Sequence, residues 1–359
     1  MRVFFTTTTP NTTPETHLLP PAETDDLVAA LAAADHPRFA CAGDAESADV
    51  IIYVEPQHLG RLRTFRRKLL SEALIRQYPN KCFTFDYTPE PIGFLPGVYT
   101  HMPARKWEKH RFRAGGYHRT FNPLVDQYEA ERDRTPRLLY SFRGIMSHPV
   151  RQLLFDAGLS TPDTPVERVE TWGGKDDDER TSYFEQILDT RFVLCPRGWG
   201  TSSIRMYEAM QLGRVPVIIA DEWVAPEGPA WSKFSIRVSE SRIGEIPGIL
   251  KQREGDFGAM AVAARQAWEE WFSPSVRLIH ALEEIEYLLL VRPADHDEAK
   301  LQRKWTSFAF EWKNGISVPQ SVYWLARNGL LTERGKDHLL SRFNEIVTVQ
   351  QPKPRDSHS

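Results

Sequence analysis

Cysteine is scarce in this chain. Three occur among 359 residues, at positions 41, 82 and 195. They lie far apart and without the close pairing of a metal knuckle, which excludes a disulfide scaffold and a zinc ribbon. They fit reduced, mostly buried thiols. A dominant charge sign is lacking too. Forty-five Lys and Arg against 48 Asp and Glu leave a net charge of −3, which argues against a general nucleic-acid binder. No apolar run approaches the ~20 residues that a membrane helix requires. The opening Met1-Arg2-Val3-Phe4-Phe5, followed by threonines, is too short for a signal-peptide core and already reads as a strand. The expectation is a cytoplasmic protein, with any membrane contact peripheral.

What is present is an ordinary globular balance, 41% hydrophobic and 26% charged residues, in a chain long enough for two cores. Strand and helix signals alternate. Residues 2–7, 49–54 and 82–86 read as strands. Residues 25–34 read as a helix capped by Thr24, and 61–77 as an amphipathic helix with Leu62, Phe65, Leu69 and Ala73 on one face. Such alternation implies a parallel sheet covered by helices. Pro89, Pro91, Pro96, Gly97 and Pro103 mark an irregular connection, and a charged run over 129–134 precedes Pro136. The expected boundary falls there: an α/β domain over 1–135 and a second over 136–290, restarting with a strand at 137–142 and a helix at 149–157. Ser273-Pro274 is expected to open a helix running to 290. Helices over 291–349, carrying Trp305, Trp312 and Trp324, are expected to pack back on the core, with 350–359 a disordered tail.

Residues 191–250 are the most informative. An apolar run at 192–195 reads as a buried strand, breaks at Pro196 and enters a loop containing Arg197, Gly198 and Gly200. Ser202 or Ser203 caps a helix carrying Arg205 and Glu208, Gly213 ends it, and Val215–Ile219 forms a second buried strand. A helix N-terminus flanked by arginines and glycines suits an anionic, phosphorylated ligand. This segment resembles the exostosin-like family of inverting glycosyltransferases. The resemblance rests on Cys195-Pro196-Arg197-Gly198-Trp199-Gly200, Arg205-Met206-Tyr207-Glu208-Ala209, Val215–Ile219 with Asp221-Glu222-Trp223, Pro226, Trp231-Ser232-Lys233-Phe234-Ser235 and Ile246-Pro247-Gly248-Ile249-Leu250. It is specific over 138–250, looser before 137 and almost silent after 271.

The resemblance implies two Rossmann-like α/β domains facing a cleft, the GT-B architecture. It also implies metal-independent transfer, with no cofactor, from a nucleotide-diphosphate sugar, UDP-sugar favoured, to a glycan hydroxyl. Arg205 would hold the donor phosphates and Glu208 the ribose hydroxyls. Eukaryotic members are typically Golgi-anchored, so the expectation here is either a chain trimmed of its anchor or, the favoured reading, a soluble, bacterial- or viral-type member. Arg143, beside Gly144, and Arg197 are further phosphate candidates, with Gly198, Gly200, Thr201 and Ser202 offering loop N–H groups. Asp221 and Trp223 would border the donor sugar, against the plainer reading of a cap and a core Trp. An intrahelical ion pair is the plainer reading of Arg205 and Glu208.

Asp176-Asp177-Asp178-Glu179 reads as the acidic N-terminus of a helix rather than a metal site. The catalytic base is sought on the first domain, at the strand ends Glu55 and Asp86, then Glu90, His101 and His118. Arg61, Arg63, Arg66, Arg67 and Lys68, and Arg105, Lys106, Lys109, Arg111 and Arg113, form two basic groups. Either these are solvated faces, or they attract an anionic or lipid-linked acceptor. The rivals are a GDP-fucose-type transferase and a catalytically silent nucleotide-sugar-binding subunit.

Overall fold

The structure, a computed structural model, describes residues 1–8, 23–55, 69–89, 91–117, 120, 122–171, 177–307 and 310. The chain separates into compact units at 1–299 and 300–359. The first unit holds two parallel sheets.

The first sheet contains β1 (Arg2–Thr6), β2 (Ala40–Cys41), β3 (Val50–Glu55), β4 (Cys82–Asp86), β5 (Gly97–Tyr99) and β6 (Phe112–Ala114), in the order β2-β1-β3-β4-β5-β6. Its central strands are near-continuous Val, Ile and Phe, buried on both faces, as parallel strands covered by helices must be. Helix α1 (Glu23–Ala34) begins before Thr24, so that threonine lies inside the helix rather than at its cap. Of the helix expected over 61–77, α2 (Ala73–Gln77) and the buried Leu69 are seen, while 61–68 lie outside the described residues. Strands β5 and β6 were not legible in the sequence, because each has three residues set among prolines and basic side chains. Gly97 is required in β5: a Cβ there would stand 2.0 Å from the Thr84 carbonyl oxygen, and its φ is +156°.

The second sheet is built from β7 (Leu138–Gly144), β8 (Val166–Arg168), β9 (Thr190–Pro196), β10 (Val215–Ile219) and β11 (Ile236–Arg237), ordered β11-β10-β9-β7-β8. Helices α3 (Val125–Tyr128), α4 (Pro149–Asp156), α5 (Asp177–Leu188), α6 (Ile204–Gln211), α7 (Ile246–Gln252) and α8 (Phe257–Trp271) accompany it. Side chains alternate to two cores. Val193, Cys195 and Ile218 join α5, α6 and α8 on one face, while Phe142, Leu194 and Val217 join α4 and α7 on the other. The two parallel lobes have the GT-B architecture expected from the sequence.

Two sequence expectations change. Helix α9 (Arg277–Leu290) packs on the first sheet, not the second: Leu278, Leu282, Ile285 and Leu288 share a core with Phe85, Val98 and Ile52. Its apolar stripe at 3–4-residue spacing matches the open face that β4–β6 leave uncovered. The helix also starts at Arg277 rather than at Ser273-Pro274. Ser273 instead donates its hydroxyl to the Glu269 carbonyl at 3.0 Å and joins the turn between α8 and α9. In the 300–359 unit Trp305 is buried, while Trp312, Trp324 and the tail at 350–359 lie outside the described residues. Among the described residues no helix is long and apolar enough to cross a membrane.

Candidate functional site

In an open parallel sheet, ligands bind beyond the strand carboxyl ends where the winding direction reverses. In the second sheet β8 lies on one side of β7, and β9, β10 and β11 on the other. The reversal therefore falls between β7 and β9. Their carboxyl ends, Gly144 and Pro196, lead into the loops before α4 and α6. The geometry selects the same loop that the sequence motif marks.

Two buried guanidinium groups meet there. Arg205, in the first turn of α6, donates Nη2–H to the Arg143 carbonyl and sits 4.5 Å from the Phe142 ring centre and 5.3 Å from that of Tyr183. Arg151, on α4, donates to the carbonyls of Ile145 at 2.9 Å, Arg197 at 3.1 Å and Pro196 at 3.5 Å. Both are under a tenth exposed. Arg151 forms no ion pair among the described residues, and burial, reinforced by Arg205, brings its guanidinium down to about 9. Buried positive charge without a full counter-charge is costly and invites an anion. Glycine makes the approach possible. A Cβ on Gly144 would stand 3.2 Å from Arg205 Nη2, and one on Gly198 would stand 3.1 Å from Arg151 Nη2.

Glu208 lies one turn along α6 from Arg205, and Tyr183 donates its hydroxyl to it at 2.5 Å. Burial pushes the Glu208 carboxyl up, against the opposing pull of Tyr183 and Arg205. Ile204, Tyr207, Glu208 and Gln211 form the α6 stripe that lines a recess closed by Tyr117, Val125, Trp268 and Phe272. Glu208 is thus neither solvated nor in an intrahelical hydrogen bond to Arg205. Its remaining oxygen capacity suits hydroxyl donors.

The loop between β9 and α6 is held from the first lobe. His101 follows β5, and its Nδ1 accepts the Ser202 backbone N–H at 3.1 Å, while Thr201 donates its hydroxyl to the His101 carbonyl at 3.0 Å. Ser202's N–H is therefore taken by His101 and is not offered to a phosphate, contrary to the sequence expectation. Thr201 likewise spends its hydroxyl proton within the protein. Arg197 is half-buried and anchors the loop by its backbone N–H, which donates to the Ile219 carbonyl at 3.0 Å. Burial, reinforced by the Arg197 charge, lowers the basicity of both His101 and His148. Gly200 lies against the His101 ring. Trp199, between the two glycines, is 54% exposed.

Three expected ligands are placed elsewhere. Arg143 turns to its neighbour on β8, pairing with Glu167 at 3.0 Å, so only its carbonyl serves the site. Asp221 accepts from the Glu240 backbone N–H and the Ser239 hydroxyl, each at 3.2 Å, and caps the turn that begins there. Trp223 is a core residue packed edge-on to Trp231 at 4.9 Å. The plainer readings of these last two hold.

Among the candidate bases, Asp86 is buried at the end of β4, accepting the Thr88 backbone N–H at 2.7 Å. Burial pushes its carboxyl up to about 6, within the range suited to proton transfer near neutrality. Glu55 ends β3 directly beside Asp86 in register. Its side chain, Glu90 and His118 lie outside the described residues. His101 is not a free base, since burial and Arg197 lower it to about 3 and its Nδ1 is occupied.

Helix α5 begins at Asp177, so part of the acidic run joins its first turn, while Asp176 and the Asp177 and Asp178 side chains lie outside the described residues. Among the described residues no group of three or more His, Cys, Asp or Glu is placed to hold a metal. Of the second basic group, Arg111 pairs with Glu298 at 3.0 Å, Arg105 with Glu222 at 3.2 Å, and Arg113 with Glu227 and Glu284. These arginines tie elements together instead of forming an open cationic face. Residues 61–68 of the first group lie outside the described residues. Arg151 and Tyr183 are the site residues that sequence reasoning missed. Neither sits in a motif, and only the chain crossing at the β7–β9 reversal brings them to Arg205.

Residues 102–253 match the Exostosin GT47 domain. Over 75 residues, 20% of this chain and 18% of the relative, the sequence is 40% identical to a probable beta-1,4-xylosyltransferase, IRX10, of Arabidopsis thaliana. It is 37% identical, over equal shares, to a probable glucuronosyltransferase of Oryza sativa subsp. japonica. The matches thus span about a fifth of these curated relatives. Among solved structures, a glycosyltransferase from Rickettsia africae overlaps 81% of this chain and 99% of its own, at 8% identity and a TM-score of 0.41. Residues 102–253 are thus similar to an exostosin GT47 domain.

Proposed function

We propose that this chain is an inverting glycosyltransferase that moves a sugar from a nucleotide-diphosphate sugar, with UDP the favoured nucleotide, to a hydroxyl of a glycan acceptor. The observation that supports it most is the pair of buried guanidiniums, Arg151 and Arg205, at the carboxyl ends of β7 and β9. A diphosphate there would receive charge-assisted hydrogen bonds, each contributing about 1.5–3 kcal/mol. Glu208, buried and oriented by Tyr183, would accept from the ribose hydroxyls. The names of the relatives, xylosyltransferase and glucuronosyltransferase, make pentosyl and uronosyl donors the first to test.

In this reading the acceptor oxygen bonds to the anomeric carbon while the bond from that carbon to the phosphate oxygen breaks on the opposite face. The acceptor proton goes to a carboxylate, for which Asp86 is our candidate. The diphosphate leaves with its charge held by Arg151, Arg205 and Arg197, a preorganised electrostatic arrangement that serves without a metal. The test is thermal shift and calorimetry against UDP, GDP, CMP and dTDP, followed by transfer assays with xylosyl and glucuronosyl donors. Binding of UDP, weakened about ten- to a hundredfold in Arg205→Ala, supports the reading. Absence of binding to all four nucleotides refutes it, and binding without transfer or donor hydrolysis would indicate a silent subunit.

A further inference from the structure

The 197–203 loop carries the glycines and the arginine that flank the anion site, and its 200–202 stretch is held from the other lobe. His101 touches it three ways. Its Nδ1 accepts the Ser202 N–H at 3.1 Å, its carbonyl accepts the Thr201 hydroxyl at 3.0 Å, and its ring lies where a Gly200 side chain would go, 2.2 Å from an ideal Cβ. With Nδ1 as acceptor, the neutral ring carries its proton on Nε2, 3.2 Å from the Tyr117 hydroxyl. Tyr117 in turn packs edge-on against Tyr207 of α6, ring centres 5.7 Å apart. The imidazole is 4% exposed. Its surroundings are Arg197, Tyr117, Ser202 and the loop backbone, and among the described residues no carboxylate pairs with it to favour its charged form.

We propose that His101 is a positioning residue that clamps the 197–203 loop from the first lobe and thereby sets the anion site formed by Arg197, Arg151 and Arg205. The consequence for nucleotide binding rests on the function proposed above. The clamp itself does not, since it concerns how the loop is held in the free protein. An acceptor at the Nδ1 position is the essential element. A protonated imidazole would present N–H to N–H at Ser202 and release the loop. Gly200 is the matching half of the device, because any side chain there would displace the ring.

Two readouts separate the clamp from the function. Hydrogen exchange in the full chain without ligand follows loop opening, and calorimetry with UDP follows the anion site. His101→Leu should raise amide exchange across 197–203 about tenfold while leaving β10 protected, and should weaken UDP binding by a similar factor. His101→Asn, whose side-chain oxygen can stand in for Nδ1, should keep both within about threefold of the wild type. Gly200→Ala should loosen the loop in the wild-type background, yet add nothing to His101→Ala, where the obstructing ring is gone. Unchanged loop exchange in His101→Leu, or in Gly200→Ala should the first variant fail to fold, overturns the clamp. Loop exchange responding as expected in a protein that binds no UDP supports the clamp and overturns the nucleotide reading instead.

Discussion

Arg151 and Arg205 hold their guanidinium groups against the same Phe142 ring, 5.4 and 4.5 Å from its centre. Two like charges share one aromatic support, at the point where the second sheet reverses its winding. Aromatic contact and carbonyl acceptors offset part of the burial cost, and an anion would offset more.

Removing either charge should therefore weaken UDP binding more than it changes the fold. Arg205→Ala is expected to lower affinity by about ten- to a hundredfold, equivalent to one or two charge-assisted hydrogen bonds. Arg151→Ala should lose a similar amount in affinity and also some stability, because Arg151 ties the 145 and 196–197 carbonyls together. Calorimetry and thermal unfolding of both variants check this. Unaltered UDP affinity in both would displace the anion site.

Asp86 carries a pH prediction in two parts. Its folded-state carboxyl titrates at about 6, above its ordinary value of 3.8. Between those values the folded protein binds the extra proton, so the contribution of Asp86 to stability falls as pH rises through 6. Asp86→Asn should accordingly stabilise the protein at pH 7 by on the order of 3 kcal/mol, less what the Thr88 contact loses, and change little below pH 4. The same variant should lower turnover about a hundredfold or more with near-normal donor affinity. Wild-type turnover should fall on the acid side of about pH 6. Full activity in Asp86→Asn would pass the role to Glu55, tested by Glu55→Gln.

Glu208 and Asp221 should part company. Glu208→Ala removes the acceptor that Tyr183 orients and should reduce nucleotide affinity about tenfold or more. Asp221→Ala removes a cap and should cost about 1 kcal/mol of stability without affecting nucleotide affinity. Measuring unfolding and UDP binding in both separates a ligand contact from a structural one.

Transfer activity should survive EDTA, because arginines would carry the leaving-group charge. Loss of turnover in chelator, restored by Mn²⁺, would return attention to Asp176, Asp177 and Asp178.

The sequence by itself determined the elements whose signal is local. Val215–Ile219 and Cys82–Asp86 are apolar runs that form a buried parallel strand or nothing. The Pro196–Gly200 break and the helix carrying Arg205 and Glu208 follow from residue types within one turn of each other. Strands β5 and β6 were not legible, because three-residue strands lack periodicity and are stabilised by pairing, β5 with β4 and β6 with β5, and by α9. Tertiary structure alone decided which arginines matter. Arg143 looked like a ligand but its strand register sets it opposite Glu167, while Arg151, in no motif, is carried to Arg205 by the crossover from β7 through α4. It also assigned α9 to the first sheet and took the Ser202 N–H away from any phosphate by bringing His101 across from the first lobe. Charge and hydrogen-bond capacity are properties of a residue, but which partner meets them depends on strand order and on which lobe a helix returns to. Neither is written in local spacing.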